Sequence, residues 1–230
     1  LLKGFFLVEV FTLFRVTEEL ETKRESIIAL FDFIGNIDTC ISVASLRAGD
    51  LITCSPNLIK DTNEVILEDI YHPLIDDCVT NNLNIGEKSI LITGSNMSGK
   101  STFLRTFCIN SILAQTIYTC FGNKFVSPIL KQYSSIRIDD NLFQGKSYYF
   151  EEVSVMATLI AEVETPFQNL FILDEVFKGT NTIERIAASK AILSYLNRKN
   201  NIVMVATHDI ELSEMLKNDF ELYHLTEIIE

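Results

Sequence analysis

The chain has 230 residues, 47% of them hydrophobic, and a net charge of -12, enough for one substantial α/β domain with an appendage. The acid excess argues against a surface that grips duplex DNA unaided, because such surfaces are basic. Five cysteines (Cys40, Cys54, Cys78, Cys108, Cys120) form no CxxC pair, which reads as reduced, mostly buried thiols of a cytoplasmic protein and not as a disulfide framework or zinc site.

The first residue is Leu1 and an apolar pattern is already running, so the chain reads as a piece of a longer protein. Phe5 to Phe14, interrupted by Glu9, is too short to span a bilayer and lacks a cleavage-site pattern. It is expected to be a buried helix face, with a truncated membrane-proximal segment as the alternative, and no membrane contact is evident in this chain. Leu13, Val16, Leu20, Ile27, Leu30, Phe31 and Ile34 recur at helical spacing. The polar cluster Thr17 to Ser26 is a solvated face or a turn. Gly35-Asn36 reads as a helix stop, followed by a second helix over 37–47 with Asp38 as cap. Residues 1–45 are thus expected to be a helical connector, and residues 46–230 a separate α/β domain.

Residues 51–72 alternate like strands, as in Glu64-Val65-Ile66-Leu67. Ser89 to Thr93 is a buried strand leading into a glycine loop and a helix over Lys100 to Tyr118. Helices are predicted from Phe150 to Glu164 and from Ile183 to Asn197. Leu170 to Leu173 and Ile202 to Ala206 are apolar strands. Strands alternating with helices imply a mainly parallel sheet covered on both faces.

Gly94-Ser95-Asn96-Met97-Ser98-Gly99-Lys100-Ser101 fits the phosphate-loop pattern of a glycine, four residues, then Gly-Lys-Ser/Thr. Each element has a physical use. Glycines let the backbone curl so that several N–H groups face one anion. The helix N-terminus adds positive potential there. Lys100 can neutralise β- and γ-phosphate charge, and the Ser101 hydroxyl can ligate Mg²⁺.

The apolar run Leu170 to Leu173 ends in Asp174-Glu175. A buried parallel strand delivers its carboxyl end to the ligand edge of the sheet, where Asp174 can orient Mg²⁺ and Glu175 can polarise an attacking water. The strand Ile202 to Ala206 ends in Thr207-His208-Asp209, placing a histidine at that edge to sense γ-phosphate or the attacking water.

Together these motifs resemble the ATPase domain of the MutS family. Thr93 to Thr102 is similar to the family run TGPNMSGKST, with Ser95 in place of proline. Asp174-Glu175-Val176-Phe177-Lys178-Gly179-Thr180-Asn181-Thr182 resembles DEIGRGTST, with Phe177 replacing glycine and Lys178 replacing arginine. Thr207-His208 followed by Glu211-Leu212 resembles the TH…EL element. Tyr71-His72-Pro73-Leu74 resembles the RHP element, and Asp139 to Leu142 with Gly145 to Glu152 resembles the DDL…GRSTFMxEM segment.

The resemblance covers about residues 30–227. It implies a P-loop NTPase fold of ABC-like architecture preceded by a helical segment. It also implies ATP and Mg²⁺ as ligands. Gly94, Ser95, Asn96, Met97, Ser98, Gly99, Lys100, Ser101 and Thr102 would hold phosphate. Ser101 and Asp174 would hold the metal, and Glu175, His208 and Lys100 would serve catalysis. Val79 and Asn81 would meet the adenine edge, with Cys78 where the family stacks an aromatic ring. Ser147 would contact the γ-phosphate of a neighbouring subunit.

The function so implied is Mg-ATP turnover coupled to conformational change in a DNA-bound homodimer of a MutS-like mismatch repair protein. DNA would be held by upstream domains, and this chain alone would bind it weakly. The mismatch-reading and clamp domains and the C-terminal helices are expected outside this chain. Alternatives are an ABC-type or chromosome-structuring ATPase, or a nucleotide switch with little catalysis. No LSGGQ-like signature occurs between Lys124 and Glu164, which counts against the first of these.

Overall fold

The structure, a computed structural model, describes residues 8–60, 62–86, 88–95, 97–136, 148–177, 181–199 and 201–226. The chain divides into two compact units, Leu1–Leu51 and Ile52–Glu230.

The first unit contains helices α1 (Val8–Thr22) and α2 (Arg24–Ala48). They part at Lys23, inside the polar cluster where the sequence suggests a turn. Gly35-Asn36 is not a stop: α2 runs through it, so no separate helix begins at Asp38. A glycine inside a helix costs about 1 kcal/mol, too little to end one supported on both sides. Thr39 Oγ1 donates to the Gly35 carbonyl at 2.8 Å, one helical turn back. The expected buried face is also corrected. Val8, Val10, Phe11, Leu13 and Phe14 are exposed, because two helices supply no second layer to enclose an apolar stripe.

By length and composition alone, α2 could cross a bilayer, its most apolar window having mean hydropathy 1.7. Asp32 and Asp38 oppose that use, since a carboxylate at bilayer depth costs roughly 2.5–3.5 kcal/mol.

The second unit runs β1 (Thr53–Cys54), β2 (Asn57–Leu58), β3 (Val65–Ile70), β4 (Asn81–Ile85), β5 (Ser89–Gly94), α3 (Lys100–Thr116), β6 (Cys120–Phe121), β7 (Lys124–Ser127), β8 (Lys131–Ser135), α4 (Tyr148–Glu162), β9 (Asn169–Asp174), α5 (Thr182–Leu196), β10 (Ile202–Ala206), α6 (Ile210–Leu216) and β11 (Phe220–Leu225). Its main sheet has the order β11-β5-β10-β9-β8, and every pairing in it is parallel.

Every residue of β9 and β10 is buried, as a strand covered on both faces requires. Side chains alternate between two cores. Ile90, Ile92, Leu170, Ile172, Ile202 and Met204 join Phe103, Leu104 and Phe107 of α3 on one face. Leu91, Phe171, Leu173, Val203 and Val205 join Met156 and Leu159 of α4, Leu193 and Leu196 of α5, and Leu212 of α6 on the other. Each such burial is worth about 1.5–3 kcal/mol, so these faces fix the register that aligns the strand ends.

A second sheet, β2-β7-β3-β4, packs into the α3 side of the core. Its β3–β4 and β3–β7 pairings are antiparallel and β2–β7 is parallel, so the expected parallel pattern belongs to the main sheet. The cysteines are less buried than the sequence suggests: Cys120 alone is buried, Cys54, Cys78 and Cys108 are half-buried, and Cys40 on α2 is exposed.

Candidate functional site at the carboxyl edge of the main sheet

The adjacency β5-β10-β9 gathers three loops that lie far apart in sequence. Ala206 is in register with Ile92 on one side and Asp174 on the other. Two backbone bonds extend the zipper past the strand ends: Glu175 N–H donates to the Ala206 carbonyl at 2.9 Å, and Thr207 N–H to the Ile92 carbonyl at 3.0 Å. The Gly94 loop, Asp174-Glu175 and Thr207-His208 therefore share one edge.

The glycine loop bends where β5 hands over to α3. Gly94 has φ +151°, and a Cβ there would lie 2.5 Å from both the Leu225 carbonyl and Ser98 Oγ. Gly99 has φ +85° and caps the N-terminus of α3. Ser98 Oγ donates to the Ser95 carbonyl at 3.0 Å. Lys100 is buried, and its Nζ donates to the carbonyls of Gly94 and Ser95. The ammonium thus lies folded against the loop that precedes it. Ser101, one residue on, donates from Oγ to Asp174 Oδ2 at 2.6 Å.

Glu175 and His208 meet at 3.0 Å between Oε1 and Nε2. Their segments border a cavity of about 310 Å³ lined by Glu175, Val176, Arg185, Thr207, His208 and Asp209. Glu175 has φ +57° and Phe177 φ +60°, the left-handed region that side chains rarely adopt. Phe177 stands where the resemblance places glycine, which needs no side-chain accommodation at such a φ. Here the ring is buried in the core with Phe171 and Leu173.

A second cavity, about 480 Å³, adjoins the glycine loop. Met97, Ser98, Gly99 and Thr102 form one wall, and Cys78, Val79 and Asn81 another. Both adenine-edge candidates therefore face the loop. Asn81 Nδ2 donates to the Val79 carbonyl at 3.1 Å, and His72 N–H donates to Cys78 Sγ at 3.4 Å. Phe103 is the aromatic ring lining this cavity, a candidate that the Tyr71 to Asn81 segment alone does not reveal. A more spacious cavity, about 630 Å³ among Pro128, Phe167, Lys199 and Asn201, touches none of these residues. Chemistry and not size locates the site.

Among the described residues no group of three or more His, Cys, Asp or Glu is placed to hold a metal ion. A hydroxyl and a carboxylate in contact, Ser101 and Asp174, fit an ion that takes few protein oxygens and completes its shell with water and phosphate, as Mg²⁺ does. They do not fit a structural zinc. Asn96, Ser147, Lys178, Gly179, Thr180 and the Asp139 to Gly145 segment lie outside the described residues.

One constellation was missed by sequence reading. Arg185, in the first turn of α5, donates from Nε and Nη2 to the two oxygens of Asp209 at 3.0 and 2.6 Å. The Asp209 carboxylate holds the guanidinium firmly in its charged form. The partners are 24 residues apart, and no spacing rule joins them.

The arrangement defines a class: a parallel α/β domain whose sheet edge presents a glycine loop with a buried lysine, a hydroxyl–carboxylate pair and a glutamate–histidine pair. The chain belongs to the MutS family, since MutS domain V matches residues 90–228. It is 30% identical to the DNA mismatch repair protein MutS of Pseudothermotoga lettingae over 88% of this chain and 25% of that protein. It is 32% identical to MutS of Thermotoga neapolitana over 90% of this chain and 26% of that protein. With the human DNA mismatch repair protein Msh3 it shares 27% identity over 87% of this chain and 18% of that protein. The chain spans about a quarter or less of the length of these relatives.

Proposed function

We propose that this chain is the Mg²⁺-dependent ATP-hydrolysing domain of a MutS-like DNA mismatch repair or DNA-processing protein, a P-loop NTPase of ABC-like architecture. The observation that carries the reading is the convergence of buried Lys100, the 2.6 Å Ser101–Asp174 contact and the 3.0 Å Glu175–His208 contact on adjacent strand ends. An arriving triphosphate offers Lys100 stronger acceptors than the two carbonyls it now holds. The loop N–H groups and the start of α3 favour the same anion.

Ser101 and Asp174 would hold Mg²⁺, which supplies positive charge to the phosphate oxygens when bound. Glu175 accepts a proton from the attacking water. His208 keeps that carboxylate oriented and meets the γ-phosphate side. The purine falls in the cavity between Val79–Asn81 and the glycine loop. In the whole protein the domain works in a cytoplasmic homodimer, with DNA held by domains upstream and Ser147 completing the neighbour's site. ATP turnover there drives domain movement on DNA.

Equilibrium ATP binding and steady-state turnover in the full-length protein test this reading. Lys100→Ala is expected to lose ATP binding by at least about a hundredfold, about 2.7 kcal/mol. Retention of near-native affinity would overturn the phosphate-loop assignment.

A further inference from the structure

We infer that Arg185 is a positioning residue for His208, acting through Asp209. The inference deepens the ATPase reading and rests on it for its catalytic consequence. Its geometric part stands alone.

Arg185 rises from a well-anchored place. The N-cap of α5 is Asn181, whose Oδ1 accepts from Glu184 N–H at 3.0 Å. Arg185 N–H donates to the Asn181 carbonyl at 2.9 Å. This turn follows closely on the Asp174 to Phe177 segment, so Arg185 belongs structurally to the Glu175 side of the site. Asp209 belongs to the other side, being the residue after His208. The planar guanidinium takes both carboxylate oxygens of Asp209, at 3.0 and 2.6 Å, fixing orientation as well as distance. Both side chains are mostly withdrawn from solvent, at 26% and 16% exposure.

What Asp209 does not do is as informative. It is the N-cap residue of α6, where an aspartate ordinarily accepts N–H groups of its own helix, yet its side chain makes no capping bond. Its carboxylate is given to Arg185 instead. The loop it terminates is otherwise held by backbone and hydroxyl contacts: Thr207 N–H to Ile92 O at 3.0 Å, and Asp209 N–H to Thr207 Oγ1 at 3.1 Å. These fix Thr207 but not the direction of the side chain at 208. The Arg185 fork supplies that restraint by pulling the far end of the loop toward α5, which sets His208 Nε2 at 3.0 Å from Glu175 Oε1. Removing the fork frees Asp209 to cap α6, and the loop turns with it. Arg185 itself contacts Asp209, and no role on the reacting atoms is assigned to it.

The test uses the full-length protein with Arg185→Ala, Arg185→Lys and the charge-reversed pair R185D/D209R. One readout is independent of turnover: the rate of diethyl pyrocarbonate acylation at His208, followed by mass spectrometry with His224 as internal reference. Arg185→Ala is expected to raise the His208 rate at least about threefold, because its Nε2 loses the Glu175 contact. The expected kinetic signature is a fall in kcat of about tenfold or more with ATP affinity within about twofold. The lysine variant should lie between, since it offers no fork, and the reversed pair should recover part of the loss.

An unchanged His208 acylation rate in folded Arg185→Ala would overturn the inference. So would unchanged kcat. Failure of wild-type protein to bind ATP would instead sink the ATPase reading, leaving the acylation result to decide the clamp.

Discussion

Replacing Phe177 separates two opposed effects at one position. Its φ of +60° costs a residue with a side chain about 1–2 kcal/mol relative to glycine. Its ring is buried at 5% exposure among Phe171, Leu173 and Leu193, and truncating such a ring costs about 3–5 kcal/mol. Burial wins, so both Phe177→Ala and Phe177→Gly should be less stable than wild type. Their order is the informative part. At ordinary positions glycine is about 0.5–1 kcal/mol worse than alanine. Here relief of the left-handed backbone should reverse that, leaving Phe177→Gly more stable than Phe177→Ala by about 0.5–1 kcal/mol. Denaturant unfolding of the two variants in parallel, with equal m-values, measures the difference. Alanine more stable than glycine would refute the strain argument and leave the ring as a simple core residue.

Glu175→Ala should keep ATP binding, because Lys100, Ser101 and Asp174 are untouched, and should cut steady-state turnover by about 10²–10⁴, the range of a general base; unchanged turnover refutes its role. Duplex DNA titrated with this chain alone at physiological salt should bind no more tightly than roughly 10⁻⁶–10⁻⁴ M, the non-specific range, given the net charge of -12; tight, salt-sensitive binding would contradict the charge argument. Alkylation of the native chain should label exposed Cys40 first and Cys120 last, since burial and Cys54 push the Cys120 thiol up to about 12 and the thiolate is the reactive form. Because that value is raised on folding, the stability it reflects is complete below the ordinary thiol range, about 8.5, and is lost as pH climbs toward 12; early Cys120 labelling would show that the pocket opens.

The strands that carry the site were legible because each is an unbroken apolar run ending in polar, chemically specific residues: Leu170 to Leu173 before Asp174, Ile202 to Ala206 before Thr207, Ser89 to Thr93 before Gly94. Both faces of these strands are covered, so burial writes itself into every residue. The strands at the margins were not legible for the converse reason. β8, Lys-Gln-Tyr-Ser-Ser, and β4, Asn-Asn-Leu-Asn-Ile, are half-covered and largely polar, and their pairing is set by distant neighbours and not by local composition. Gly35 misled because a glycine is a boundary only where the surrounding helix is weak. Within the site, motif residues could be found one segment at a time. The Arg185–Asp209 fork could not, since Arg185 belongs to no motif, Asp209 only follows the motif histidine, and only the fold brings the two together.

β11 runs beside β5 from Phe220 opposite Ser89 to Leu225 opposite Gly94, and its Leu225 carbonyl crowds the space above Gly94. Thr93 and His224, which touch at 3.0 Å, are 131 residues apart in sequence. A ribosome adds about 5–20 residues per second, so the glycine loop emerges many seconds before the strand that covers its flank. Through that interval one edge of β5 is an open ladder, the kind that pairs with whatever strand arrives. The loop is made early and finished late. A nascent chain halted before Phe220 would carry every motif of the site and still lack the strand that walls it.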